Sequence, residues 1–156
     1  MLKNNYTIKL AYDELDNVRE LFKEYTNFLG IDLTFQHFDA ELKNLPGKYA
    51  LPHGRLYVLY FQQHLAGCAA LRPLNKNACE FKRLYVRPAF RGHKLGKALM
   101  NQLIAAAKEL GYTAAYFDTL NTLTTAVQMY TKMPCQQIAA YYPVKRKDLN
   151  FYKLPL

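Results

Sequence analysis

The residues that could do chemistry are concentrated in one stretch, Glu80-Phe-Lys-Arg-Leu-Tyr-Val-Arg-Pro-Ala-Phe-Arg-Gly-His-Lys-Leu-Gly-Lys97. From Lys82 to Lys97 it carries six basic residues (Lys82, Arg83, Arg87, Arg91, Lys94 and Lys97) and no acid. It reads as a strand, then a basic loop with two glycines, then a strong helix starting near Gly92. A helix N-terminus presents unpaired N–H groups and about half a positive charge, which attracts phosphate. Glycines let the backbone approach a ligand closely, and Arg91, Lys94 and Lys97 add charge around it. The stretch is therefore suited to a pyrophosphate. It is neither of the two common nucleotide loops. A Walker loop needs GxxxxGK[ST], whereas Gly92 to Ala98 offers one spacer residue fewer and no hydroxyl, and GxGxxG is absent. Neither ATP nor NAD is the expected ligand.

Other chemistry is set aside by spacing. The three cysteines (Cys68, Cys79, Cys135) are odd in number, widely spaced and without a CxxC, so neither a disulfide framework nor a zinc site is expected. The four histidines (His37, His53, His64, His93) also lack ligand spacing, and no metal is expected.

The basic loop needs elements to hold it. Tyr6–Leu10 alternates as a strand. Leu15, Val18, Leu21, Phe22, Tyr25 and Leu29 recur at helical spacing, with Gly30 as the stop. A second helical stretch from about Phe35 to Leu45 closes at Pro46-Gly47. Then Arg55–Phe61, Leu65–Leu71 and Cys79–Val86 follow one another through short turns, the pattern of an antiparallel meander. After the loop, Leu95, Ala98, Leu99, Leu103, Ala106, Ala107 and Leu110 line one face of a helix that Gly111 ends. Ala114–Asp118 reads as a strand, Leu123 to Lys132 as a short helix, Gln136–Ala140 as a strand and Phe151–Leu154 as a last one. The order β-α-α-β-β-β-α-β-α-β-β describes an α/β fold with a mixed, mostly antiparallel sheet and helices on both faces.

The chain has 156 residues, 51% of them hydrophobic and 21% charged, which fits one globular domain spanning 1–156 and excludes disorder and coiled coil. The longest apolar run, Leu65–Leu71, falls far short of the roughly 18 residues a membrane span needs. Asp13 and Glu14 precede any apolar leader, so a soluble, cytoplasmic protein without a membrane partner is expected. The net charge of +9 attracts polyanions without saying which.

These residues resemble the GCN5-related N-acetyltransferase family, in a bacterial branch. The family's pyrophosphate loop reads Arg/Gln-x-x-Gly-x-Gly/Ala after a strand ending in Val, and Arg91-Gly-His-Lys-Leu-Gly96 falls on it, with Lys94 where a middle glycine is usual. Leu84-Tyr-Val-Arg-Pro is similar to the family's fourth strand, and Ala126-Val-Gln-Met-Tyr-Thr-Lys-Met to its A-x-x-L-Y-x-x-L helix. Pro134-Cys135 replaces the usual Gly-Phe, and Leu123 replaces a frequent Asn. The resemblance implies acetyl-CoA as cosubstrate, acetyl transfer to a primary amine of a small molecule or protein, and a homodimer. Acetyl-CoA would be held by Leu84, Tyr85, Val86, Arg91, Gly92, His93, Lys94, Leu95, Gly96 and Lys97. Acyl transfer needs the amine proton removed and the leaving thiolate protonated. Tyr130, on the family's tyrosine, is implied as the acid. Glu80, six residues before Val86, is implied as the base. Strand alternation would put Glu80, Lys82, Leu84 and Val86 on one face. Tyr25, Phe28, Phe35, Gln36 and Tyr49 are candidate acceptor contacts, and the few acids among these segments point away from a polycationic acceptor.

Two other readings stay open. One is a basic nucleic-acid-binding module, motivated by +9, by Lys145-Arg-Lys147 and by 13 Tyr and 9 Phe. Against it, the phosphates of CoA already account for the densest basic run. The other is a protein that binds CoA and transfers nothing, motivated by Lys94 and Pro134-Cys135.

Overall fold

The structure, a computed structural model, describes residues 5–30, 37–144 and 146–156. One seven-stranded mixed sheet organises the chain: β1 (Tyr6–Leu10), β2 (Arg55–Phe61), β3 (His64–Pro73), β4 (Ala78–Val86), β5 (Ala114–Leu120), β6 (Gln136–Ile138) and β7 (Leu149–Pro155). Its spatial order is β1-β2-β3-β4-β5-β7-β6. β1 to β4 form the expected antiparallel meander. β7 inserts between β5 and β6, a placement that local pattern does not encode.

Helices cover both faces. α1 (Leu15–Leu29) buries Val18, Leu21 and Phe22. It ends where Gly30 turns left-handed at φ +64° and donates its N–H to Thr26 and Asn27 carbonyls. With α2 (Phe38–Lys43) it covers one core, in which Phe22, Leu42, Tyr49, Leu56 and Val58 pack. α3 (Leu95–Glu109) lays Leu95, Leu99, Met100, Leu103, Ala106 and Ala107 against the opposite face. There Leu59, Leu71, Cys79, Phe81 and Phe117 meet them, together with Tyr130 from α4 (Thr124–Thr131). Each fully buried Leu or Phe contributes about 2 kcal/mol.

The feature that shapes the site lies in β4. Ala70 pairs with Lys82 and Cys68 with Tyr85, so Ala69 opposes both Arg83 and Leu84. This is a one-residue bulge, and Arg83 carries a left-handed φ of +60°. The extra residue reverses the alternation. Leu84 and Val86 pack on the α3 side and Tyr85 on the α1 side. Glu80, Lys82, Leu84 and Val86 therefore do not share a face, which corrects the expectation from simple strand periodicity. β4 and β5 pair in parallel only from Ala78 to Glu80 and then separate.

Gly67 allows the bulge to approach β3. A Cβ there would lie 2.5 Å from the Tyr85 carbonyl oxygen, inside any permitted contact. Gly67→Ala must push β3 and β4 apart and should cost about 1–3 kcal/mol in urea unfolding. Unchanged stability would show that the bulge does not depend on this close approach.

Candidate functional site

Where β4 and β5 diverge, a cleft of about 90 Å³ opens through the sheet. Phe81, Lys82, Arg83 and Leu84 line it from β4, and Phe117, Asp118, Thr119 and Leu120 from β5. Tyr25 and Leu29 of α1 close one side, and Met100, Ala126 and Tyr130 the other. Beyond Glu80 the β5-facing edge of β4 has no strand partner, so its peptide groups are available to a ligand.

At one end of this edge stands the basic loop. α3 begins at Leu95 rather than near Gly92, with Lys94 as its N-cap. Gly92 has φ +89° and Lys94 φ +60°, so Lys94 adopts the left-handed conformation that glycine takes at low cost. Its side chain is exposed. The first helical N–H groups of α3 have no partner within the helix. A Cβ on Gly96 would meet only Leu84 Cδ2, at 3.9 Å, so the protein's own packing does not require glycine there. The flanking side chains are partly engaged. The Arg91 guanidinium lies 4.3 Å from the Phe28 ring centre, and its Nε donates to the Val86 carbonyl at 3.2 Å. His93 stacks on Phe61 at 4.5 Å. Leu95 is buried and anchors the helix start, while Lys97 is exposed.

The expected catalytic residues separate. Tyr130 lines the cleft, packed between Phe117 (4.9 Å) and Tyr152 (5.1 Å). Burial, with nearby Tyr25 and Asp118 adding to it, raises the Tyr130 phenol well above its usual value, so it stays protonated. Glu80 does not line the cleft. It is 3% exposed, accepts from Arg72 Nε at 2.8 Å and from the Tyr141 hydroxyl at 2.5 Å, and lies 4.0 Å from Lys82 Nζ. Burial pushes its carboxyl up, but Lys82, Arg72 and the Tyr141 hydrogen bond outweigh this and hold it below the ordinary 4.5. Glu80 is engaged as the ion-pair partner of Arg72 and the acceptor of the Tyr141 hydroxyl.

The carboxylate that does line the cleft is Asp118, which accepts a hydrogen bond from the Tyr142 hydroxyl. Opposite it stands Lys82, 6% exposed. Burial pulls the Lys82 ammonium below its usual value, with Asp118 opposing that shift. Neither residue was singled out for the site from the sequence. A strand-end Asp and one Lys within a basic run carry no signal until the bulge and the splay place them.

Of the candidate acceptor contacts, Tyr25 lines the cleft, and burial pushes its phenol up to about 12. Phe28 lies instead beside the loop, against Arg91 and Tyr85. Tyr49 is buried in the α1-side core, with its hydroxyl donating to Glu41 Oε1 at 3.0 Å. Phe35 and Gln36 lie outside the described residues. Cys135 donates its thiol to the Tyr130 carbonyl at 3.1 Å, and burial raises its thiol above the ordinary value. Among the described residues no three His, Cys, Asp or Glu side chains converge on a metal position. Among them, too, no helix is long and apolar enough to cross a membrane.

Comparison with known proteins gives the same fold and places the chain. Residues 15–133 match the model of the acetyltransferase (GNAT) family. An uncharacterized N-acetyltransferase of Schizosaccharomyces pombe is 42% identical, over 86% of this chain and 83% of that one. Another, of Dictyostelium discoideum, is 34% identical over 94% and 96%. These relatives are eukaryotic, so the likeness does not single out a bacterial branch. Among solved structures, an acetyltransferase from Streptococcus agalactiae superposes with a TM-score of 0.80 at 19% identity, covering 97% of this chain and 99% of that one. A GNAT-family acetyltransferase from Elizabethkingia anophelis, solved with acetyl-CoA bound, gives 0.65 at 20% identity, covering 99% and 100%. A sheet parted between its fourth and fifth strands, a phosphate-ready helix start at the parting and a family match over most of the length agree: the chain belongs to the GNAT acetyltransferase family.

Proposed function

We propose that this protein transfers an acetyl group from acetyl-CoA to a primary amine by direct attack within the β4–β5 cleft. The observation that carries this reading is the β4 edge left unpaired beyond Glu80 at the cleft, whose Leu84 lies 3.9 Å from the Cβ position of Gly96 at the start of α3. The residues present fit acetyl-CoA. Gly92, Lys94, Leu95, Gly96 and Lys97 offer unpaired N–H groups and positive charge to a pyrophosphate. The glycine at 96 leaves room for it that the protein's own packing does not use. The unpaired edge of Leu84, Tyr85 and Val86 offers peptide groups to the pantetheine amides. When bound, acetyl-CoA supplies a thioester carbonyl open to attack by nitrogen.

The chain's own groups manage the protons. Asp118 takes one proton from the acceptor ammonium and frees the nitrogen lone pair. The C–N bond forms as the C–S bond breaks, and the electron pair of the C–S bond leaves on sulfur. Tyr130 gives its phenolic proton to that sulfur, and the second nitrogen proton restores the tyrosine. A phenol held protonated by burial, lining the same cleft as an aspartate, supports this division of roles.

Two tests follow. Gly96→Leu should leave thermal stability little changed, because its Cβ meets only Leu84 Cδ2 at 3.9 Å, yet weaken acetyl-CoA binding by about tenfold or more in calorimetry. Wild-type affinity in that variant would move the pyrophosphate elsewhere. Tyr130→Phe and Asp118→Asn should each lower kcat by about a hundredfold with acetyl-CoA affinity little changed. Glu80→Gln should behave differently, costing about 2 kcal/mol by removing the carboxylate that Arg72 bonds at 2.8 Å and leaving it only Glu41 at 3.8 Å. That loss should appear above pH 4.5 and fade as the pH falls through the carboxyl's lowered value, since the wild-type pair itself is lost there. A large loss of kcat in stable Glu80→Gln, with Asp118→Asn fully active, would return the base role to Glu80.

A further inference from the structure

The α1-facing side of the sheet beside the cleft holds five charged side chains on β3, β4 and α2, and most of them cancel. Arg72 bonds Glu80 at 2.8 Å and approaches Glu41 at 3.8 Å. Arg83 is bound by Glu41, with Nε to Oε2 at 3.0 Å and Nη2 to Oε1 at 3.2 Å. These close contacts leave Lys82. Its one ion-pair contact among the described residues is Glu80 Oε2 at 4.0 Å, beyond hydrogen-bond reach, and that oxygen already accepts from Tyr141. Lys82 is nonetheless 94% removed from water, since only 6% of it is exposed. A largely buried lysine whose ammonium is held only by that long ion-pair contact is weakly compensated, and an anionic group entering the cleft would compensate it better. Asp118 supplies the complementary charge from β5, on the opposite wall of the same cleft. It lies close enough to influence Lys82 but makes no ion pair with it within 4 Å. A cleft with a loosely paired cation on one wall and a carboxylate on the other is complementary to a ligand that carries an anion and an ammonium together. Leu29, Leu120, Leu123 and Leu149 add apolar lining beside Arg83, Thr119 and Tyr25, and suit a compact hydrocarbon side chain.

We infer that the acceptor is a small amine bearing its own carboxylate, an amino acid, whose carboxylate is held by Lys82 Nζ and whose ammonium is presented to Asp118. This rests on the acetyltransferase reading above and narrows it from any primary amine to one class. It also accounts for a buried lysine at a position where the transfer itself needs no cation. Lys82 is thus a specificity-determining contact, and a plain alkylamine or a polyamine leaves it unsatisfied.

The test compares matched acceptors: L-leucine with leucinamide and isoamylamine, and L-phenylalanine with phenylalaninamide and phenethylamine. Free thiol release from acetyl-CoA is followed with the full chain. Wild-type protein should prefer each amino acid to its amide and its decarboxylated amine in kcat/KM. Lys82→Met, which keeps the length of the side chain and suits a buried site, should lower that preference by about tenfold or more, mainly through KM for the amino acid. Lys82→Arg should restore part of it. Calorimetric titration with acetyl-CoA alone separates the two claims. If acetyl-CoA binds and the uncharged amines are acetylated as well as the amino acids, the carboxylate assignment is overturned while the transferase reading stands. An amino-acid preference unchanged in folded Lys82→Met overturns it as well. If acetyl-CoA does not bind at all, the transferase reading fails, and this assignment with it.

Discussion

The single extra residue in β4 governs the molecule. A regular strand from Ala78 to Val86 would stay paired to β5 and keep Glu80, Lys82, Leu84 and Val86 on one face. The β5-facing edge of β4 leaves β5 after Glu80, and the bulge opposite Ala69 then rotates the strand beyond Lys82, with that edge exposed to a ligand. Arg83 holds a left-handed backbone there at a cost of about 1–2 kcal/mol. That cost is offset by two hydrogen bonds to Glu41 and by the Phe38 ring 5.4 Å from the guanidinium. Gly67 supplies the missing Cβ that lets β3 follow the turn. The cleft, the open edge and the exchange of faces all follow from this arrangement.

The second constraint is electrostatic. Arg72, Lys82 and Arg83 stand on or next to the parted strand with little exposure to water, and buried charges must be matched. α2 and β4 provide the matching carboxylates through Glu41 and Glu80, so the short helix has a role beyond covering the core. Tyr49 and Tyr141 complete these networks with hydroxyl hydrogen bonds. The network engages Glu80 with Arg72 and Tyr141 and Arg83 with Glu41. Of the charges that line the cleft, Lys82 and Asp118 are the two outside these close pairs.

How far the sequence discloses this structure depends on the length scale of each signal. α1 and α3 are legible because their apolar stripes and glycine stops are local, and their observed limits at Leu29 and Leu95 follow from Gly30 and the Lys94 turn. The meander is legible from alternation and short turns. The loop at Arg91–Lys97 is legible because its chemistry is contiguous. The bulge is not, because Arg83 is neither glycine nor asparagine, the usual signs of a left-handed residue. The insertion of β7 between β5 and β6 is a long-range pairing with no local mark. Phe28 and Tyr49 show the limit of reading aromatics as ligand contacts, since one braces the loop and the other fills the core. Lys82 and Asp118 are 36 positions apart and become neighbours only through the parallel pairing of their strands.

The most direct test of this account is the crystal structure of the protein with acetyl-CoA. The account predicts the pyrophosphate on the amides at the start of α3, pantetheine amides paired to the open edge of Leu84–Val86, and the acetyl group between Tyr130 and the Lys82–Asp118 pair. Acetyl-CoA bound away from the β4–β5 parting, or strands that close on each other beyond Glu80 while it is bound, would contradict it.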